Sequence, residues 1–297
     1  MLCVTDKNLP ASFQEADAES KSAQKIYVRL FIGLLLATLI GAGATWISTD
    51  FESIKMYGSL VAAVSTFTAF ALTTVLSIRS YEKIWYRGRA VAESIKTRSW
   101  SFMMCGERYP SSLDQVEVTK RFIDDVSDIL KEKGPVILIN SSDATFPQIS
   151  PLMLELRNAS VEERLAAYVS CRVLDQKTWY KKKAKLSSRY ESYAFLAMQA
   201  SQLISLLIVG CALYEKRVTS GSVGLLAALS SSVLAWLQVK RYQETAESYS
   251  IAYQELSSIE SLSVTVHTDI ELAQFVQDAE NAVSREHTLW VAKRVLR

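Results

Sequence analysis

The sequence predicts an all-α polytopic membrane protein with four transmembrane helices in two hairpins and long cytosolic helical extensions. Two observations carry that reading. Four apolar stretches, residues 26–48, 57–78, 190–214 and 221–239, each supply the roughly 20 residues that a helix needs to cross a bilayer core. They hold no charged residue except Arg29 and Glu191, both close to the ends. In hydrocarbon a backbone satisfies its own polar groups only as a helix or a closed barrel, and stretches of this length are helices.

The elements follow in order. Residues 1–24 are polar, without periodicity, and read as a mobile N-terminal tail. In the first span Gly33, Ala37, Gly41 and Thr45 recur every four residues, a small-residue ridge that lets helix backbones approach. The second span places Thr66, Thr73 and Ser77 on one face, with Ser65 and Thr68 nearby, and no Pro or Gly cluster separates it from residues 80–104. It is therefore expected to run unbroken into a cytosolic helix, along which Tyr81, Trp85 and Arg89 recur at four-residue steps. Pro110 ends that element. Ser111 or Ser112 caps the next helix, whose apolar face is Val116, Phe122, Ile123, Val126, Ile129 and Leu130, and Gly134-Pro135 stops it. Residues 136–139 are a strand or a buried loop, and 140–151, with Ser, Asp and two prolines, read as a linker.

Ser160 with Glu163 forms a capping box, and nothing breaks helix from there to Tyr214, a length of about 80 Å. The fourth span continues in the same way through residue 262. A last amphipathic helix, residues 269–296, takes Asp269 as its cap. The two halves thus repeat one architecture, with a first unit at 25–139 and a second at 152–297. Direct identity between them is slight beyond Tyr81 and Tyr242, each just past the basic end of a hairpin.

Lysine and arginine near the span ends set the orientation. Lys21, Lys25 and Arg29 precede the first span, Arg79, Lys83, Arg87 and Arg89 follow the second, and Lys181-Lys182-Lys183, Lys185 and Arg189 precede the third. The turn after the first span offers only Lys55; Lys216 and Arg217 in the other turn vote weakly the other way. Both termini are expected in the cytoplasm, in a cell inner membrane. The Asn140 and Asn158 sequons then carry no meaning.

The chemistry that a sequence can advertise is sparse. His267 and His287 stand in no ligand spacing, Cys3, Cys105, Cys171 and Cys211 form no CxxC, and no phosphate loop or nucleophile elbow occurs. The expectation is a non-enzyme without cofactor or metal, and the formal net charge of +2 argues against nucleic acid as a partner. The lysine run at 181–183 suits either a phosphate group or the anionic inner leaflet. Gln202 and Ser205 in the third span and Ser231 in the fourth add uncharged polar groups to Thr66, Thr73 and Ser77. Such groups can line a wet, weakly selective pore, although Ser and Thr serve equally in helix packing. No ionisable residue lies deep in a span, against an ion-coupled transporter. Apolar faces left over on the cytosolic helices argue for a homo-oligomer.

Several of these stretches resemble a known family. The run from Tyr81 to Lys96, with Trp85, Arg89, Ala92 and Glu93, followed by Trp100, is similar to the post-hairpin helix of SLATT proteins, the SMODS- and SLOG-associating two-transmembrane effectors. Asp175-Gln176-Lys177-Thr178-Trp179-Tyr180 and Glu286-His287-Thr288-Leu289-Trp290 resemble another branch of that family. The resemblance covers roughly residues 20–105 and 155–297. It implies a pore-forming effector of bacterial antiphage or conflict defence, triggered by a nucleotide messenger or a protein. It supplies no ligand residues, and no sensor domain is recognisable. Trp85, Trp179 and Trp290 suit helix packing, and Glu93, Glu280 and Glu286 are candidates to pair with Arg87, Arg89 or Arg172 between cytosolic helices. The two functional expectations are a homo-oligomeric channel passing ions through the lipid bilayer, gated by its cytosolic bundle, and a non-conducting scaffold that recruits a partner.

Overall fold

The computed structural model describes residues 4–133, 147–216 and 221–295, with side chains up to residue 284. Every regular element among them is helical: α1 (Ala11–Asp50), α2 (Lys55–Arg79), α3 (Tyr81–Met103), α4 (Gln115–Lys133), α5 (Pro151–Arg157), α6 (Val161–Tyr168), α7 (Leu174–Tyr214), α8 (Ser222–Lys240), α9 (Tyr242–Ser261) and α10 (Asp269–Val295). A single π turn, Val169–Val173, joins α6 to α7. The stretches Ala11–Asp50, Glu52–Arg79, Val161–Tyr214 and Ser222–Thr265 are long and apolar enough to cross a membrane. The chain is an all-α polytopic membrane protein.

The chain divides into two compact units, and neither follows the halves of the sequence. A span unit gathers Lys25–Tyr81 and Leu186–Glu244, while a bundle unit gathers Met1–Gln24, Glu82–Lys185 and Thr245–Arg297. Each unit draws on both hairpins, because α1 and α7 each contribute one end to the bundle and the other to the spans.

In the span unit the helices pack antiparallel in the order α2, α1, α8, α7. A Cβ on Gly33 of α1 would stand 3.4 Å from Leu72 of α2, one on Gly41 3.3 Å from Ser65, and one on Gly58 of α2 2.9 Å from Ser48. Ala37 and Ala44 are buried in the same seam. These small residues bring the two backbones close, which is what drives association where lipid removes the hydrophobic effect between helices. α1 meets α8 through the stacked rings of Phe31 and Trp236 and through Gly221, whose amide donates to Asp50. α8 meets α7 through the hydrogen-bonded hydroxyls of Ser201 and Ser230.

The bundle unit has one apolar core. On α3, Val91, Ile95 and Phe102 recur at helical spacing and are fully buried, with Ala92 and Met103 beside them. Phe102, Tyr109 and Phe122 form a ring cluster, and Trp100 meets Tyr168 edge-on at 5.5 Å. Each such ring or aliphatic group contributes about 1.5–3 kcal/mol when withdrawn from water.

Several expectations need correction. The first 24 residues are not a mobile tail where they are described. A 3-10 turn at Asp6–Asn8 and the start of α1 bury Leu9, Phe13 and Ala16 in the bundle core, and Asp6 pairs with Lys96 at 2.6 Å. The polar residues there cover one face only, and Gly88 of α3 sits so close to the other that its Cβ would stand 3.1 Å from the Ala16 carbonyl.

The second and fourth spans do not run on unbroken. Ser80 (φ 47°) and Arg241 (φ 47°) adopt the left-handed conformation between α2 and α3 and between α8 and α9. A residue in that conformation ends a helix, and with neither Gly nor Pro at either place the sequence gives no warning. Asp114, not Ser111, caps α4, accepting from the Val116 amide. Thr268 with Glu271, not Asp269, caps α10. On α4 the buried face is Val118, Phe122 and Val126, whereas Val116 and Ile123 are exposed. Residues 136–139 and most of the 140–151 linker lie outside the described residues.

Two substitutions test these junctions. Ser80→Gly should stabilise the detergent-solubilised protein by about 1 kcal/mol, the strain of a non-glycine residue in the left-handed region, read as a rise in melting temperature. Gly221→Ala should do the reverse, by about 1–3 kcal/mol, because its Cβ would lie 2.6 Å from the Thr49 hydroxyl and 2.8 Å from the Trp46 Cα.

Candidate functional site

In the span unit α1 lies against both α2 and α8, and α8 also meets α7, while α2 and α7 expose large apolar side chains, among them Phe67, Phe70, Leu206 and Leu207. Thr66, Thr73 and Ser77 lie together on an exposed face of α2, beside the seam that Ser65 makes with α1. No helix of the span unit covers that face. The Thr66 hydroxyl donates to the Ala62 carbonyl and the Thr73 hydroxyl to the Ala69 carbonyl, both at 2.9 Å, so each has a partner four residues back on its own helix. Gln202 and Ser231 are exposed and Ser205 half-buried, on α7 and α8. The structure does not bring them to the α2 stripe, since α1 intervenes. The buried hydroxyls of the unit are Ser65, Ser201, Ser230 and Ser232, at helix contacts.

In the bundle unit the sequence-selected residues are partly joined. Arg89 pairs with Glu93 one turn on along α3, at 2.6 Å. Trp85 packs its ring on Tyr86, and its carbonyl accepts from Ser20. Trp179 meets Tyr180 and, across to α9, Tyr249 at 5.1 Å, with the Lys183 ammonium 5.8 Å above its ring. Lys177 reaches Glu260 of α9 beside this cluster. The side chains of Glu286 and Trp290 lie outside the described residues.

The stronger feature is a set of buried arginines on the segment from α5 to the π turn. Arg157 donates to the carbonyls of Phe102 (2.9 Å), Tyr109 (2.8 Å) and Pro110 (3.0 Å). Arg164 donates to the Met104 carbonyl at 3.1 Å and to Asp269 at the start of α10. Both therefore serve the end of α3, where unpaired carbonyls and the helix dipole favour cations. Among the described residues Arg157 makes no ion pair with a carboxylate, and burial pushes its pKa down. Asp269 is held below the ordinary carboxylate value by its hydrogen bond from Arg164, which outweighs burial, and by one from Ser111.

Arg172 makes the tightest contact. Its guanidinium grips Glu280 of α10 with two hydrogen bonds of 2.8 Å, and both residues are under 5 % exposed. Tyr168 and Thr97 donate to the same carboxylate, at 3.0 and 2.7 Å. Burial alone would lower the Arg172 pKa, but the Glu280 charge and hydrogen bonds push it up. Burial and then the same negative charge push the Tyr168 hydroxyl well up. Tyr168 immediately precedes the π turn and Arg172 lies within it, so the widened turn is where two side chains reach one carboxylate. Among the candidate pairs in the sequence Arg172–Glu280 was legible; Arg157, Arg164 and Asp269 were missed. The available signal was three arginines spaced seven and eight apart, the first just before the Ser160 capping box and the other two in the helix it opens.

Two family models match the chain. That of SMODS and SLOG-associating 2TM effector domain 3 covers residues 10–165, and that of SMODS and SLOG-associating 2TM effector domain 1 covers residues 168–290. The two matched ranges adjoin within α6, between residues 165 and 168. No curated protein and no solved structure matches.

The buried pair makes a specific energetic prediction. Glu280→Gln should cost about 3–5 kcal/mol by leaving Arg172 buried without its counter-charge, whereas Arg172→Met with Glu280→Leu together should cost much less than either single change. Thermal unfolding of all three variants in one detergent checks this. Asp269 predicts an acid limit. Its folded pKa is lowered, so its contribution is complete above the ordinary 3.8 and is lost as pH falls below that value. Asp269→Asn should flatten that part of the stability profile.

Proposed function

With two SMODS- and SLOG-associating two-transmembrane effector domains in tandem the chain belongs to the SLATT family, and on that premise we propose that it is a homo-oligomeric channel of bacterial conflict defence. In this reading it sits in the inner membrane with both termini and the bundle unit in the cytoplasm, and the bundle gates a pore in response to a nucleotide messenger or a protein. The observation that carries the reading is the α2 stripe. Thr66, Thr73 and Ser77 form an uncharged polar line on an outer helix that its own chain leaves uncovered. Such a line gains water and ions as partners only when copies of α2 face one another, so the pore belongs to the oligomer and not to the protomer. The apolar centres of all four spans, without a carboxylate or ammonium, suit passive permeation rather than ion-coupled transport.

One observation favours a second reading, a scaffold whose spans only anchor the bundle. The Thr66 and Thr73 hydroxyls are already satisfied by carbonyls of their own helix, as lipid-facing hydroxyls are. Ion flux from liposomes separates the two. The channel predicts flux from the purified protein that Thr73→Leu reduces severalfold without loss of assembly by size-exclusion chromatography. Equal flux from both proteins would remove α2 as the lining, and silence from the wild type with every nucleotide trigger tried would favour the scaffold.

A further inference from the structure

One end of the span unit combines an aromatic band with a concentration of cations. Tyr27 stacks towards Phe31 on α1 at 6.3 Å, and Phe31 on Trp236 of α8 at 6.4 Å. The Trp236 indole donates to the Tyr242 hydroxyl at 3.2 Å, and the Tyr242 ring lies 5.6 Å from Tyr190 of α7. The band therefore crosses α1, α8, the start of α9 and α7 without a gap. Around it stand Lys25, Arg29, Arg79, Arg189, Lys240 and Arg241, against only Glu191 and Glu244. Lys240 holds its ammonium 4.9 Å over the Trp236 ring, and Arg241 lies 3.4 Å from Glu244. Arg29, Arg79 and Arg189 are exposed. At the opposite end the sequence carries Asp50, Glu52, Lys55, Glu215, Lys216 and Arg217, a balanced set without the excess of cations found at the aromatic end.

We propose that this aromatic-basic end binds the phosphate headgroups of anionic phospholipids, so that the protein is selective for charged over zwitterionic lipid. A guanidinium fork matches a phosphate in two hydrogen bonds, and indole and phenol rings settle at headgroup depth. The ligand carries hydrocarbon as well as phosphate. Next to Arg79 the Ile78 side chain is 73 % exposed, one turn from Arg189 Tyr193 is 67 % exposed, and one turn from Arg29 Ile32 is 40 % exposed, so each exposed guanidinium is flanked by apolar surface. A free phosphate ion would use the arginines and leave that surface wet.

The test is native mass spectrometry of the full-length protein in detergent with phosphatidylglycerol, phosphatidylcholine or inorganic phosphate added, beside the Arg29→Gln/Arg79→Gln/Arg189→Gln variant. Phosphatidylglycerol should be retained over phosphatidylcholine by on the order of tenfold or more, and the variant should lose most of that preference. High salt should weaken the wild-type preference, an arm that needs no variant. Equal retention of the two lipids, competition by inorganic phosphate alone, or an undiminished preference in the variant or at high salt would overturn the proposal. None of these readouts depends on ion flux, so this site and the channel stand or fall separately.

Discussion

The constraint on which the rest depends is that hydrocarbon offers no partner to a backbone amide. Four apolar stretches must therefore close their hydrogen bonds within themselves, as helices, and can associate only through close packing and a few shared polar groups. α1 meets that demand on two sides. Gly33, Ala37, Gly41 and Ala44 admit α2, while Phe31 and the Asp50 turn receive α8. Because α1 also carries Phe13 and Ala16 into the bundle core, one continuous helix serves the apolar phase at one end and the water-excluding core at the other.

The bundle handles polarity in the opposite way. Where the spans avoid charge, the bundle buries three arginines and supplies each with carbonyls or a carboxylate. Arg157 and Arg164 satisfy carbonyls at the buried end of α3, and Arg172 fixes α10 to the π turn through Glu280. A buried ion pair adds little net stability over an apolar replacement, but it penalises any arrangement that separates its members. That makes the α10 contact specific. The π turn from which Arg172 projects also precedes α7, the helix that continues to Tyr214.

These two treatments of polarity frame the proposed channel. The exposed Thr66, Thr73 and Ser77 hydroxyls share one face of α2, an outer helix, whereas Ser65, Ser201, Ser230 and Ser232 are buried at helix contacts. In the proposed channel the α2 face becomes a conducting path only against a second copy.

The sequence by itself determined the spans, their number and the helical class, because length and lack of charge leave hydrocarbon-embedded backbone no other solution. It also determined the close approach at Gly33 and Gly41 through their four-residue spacing. Only the tertiary structure decided that residues 4–24 belong to the core, since a face as thin as Leu9, Phe13 and Ala16 has meaning only against α3. The breaks at Ser80 and Arg241 were likewise hidden, because neither left-handed position is advertised by Gly or Pro. Tertiary structure alone chose Glu280 for Arg172 and sent Arg157 and Arg164 to the end of α3. Spacing along one helix says which residues share a face, but not which distant carbonyl or carboxylate that face will meet.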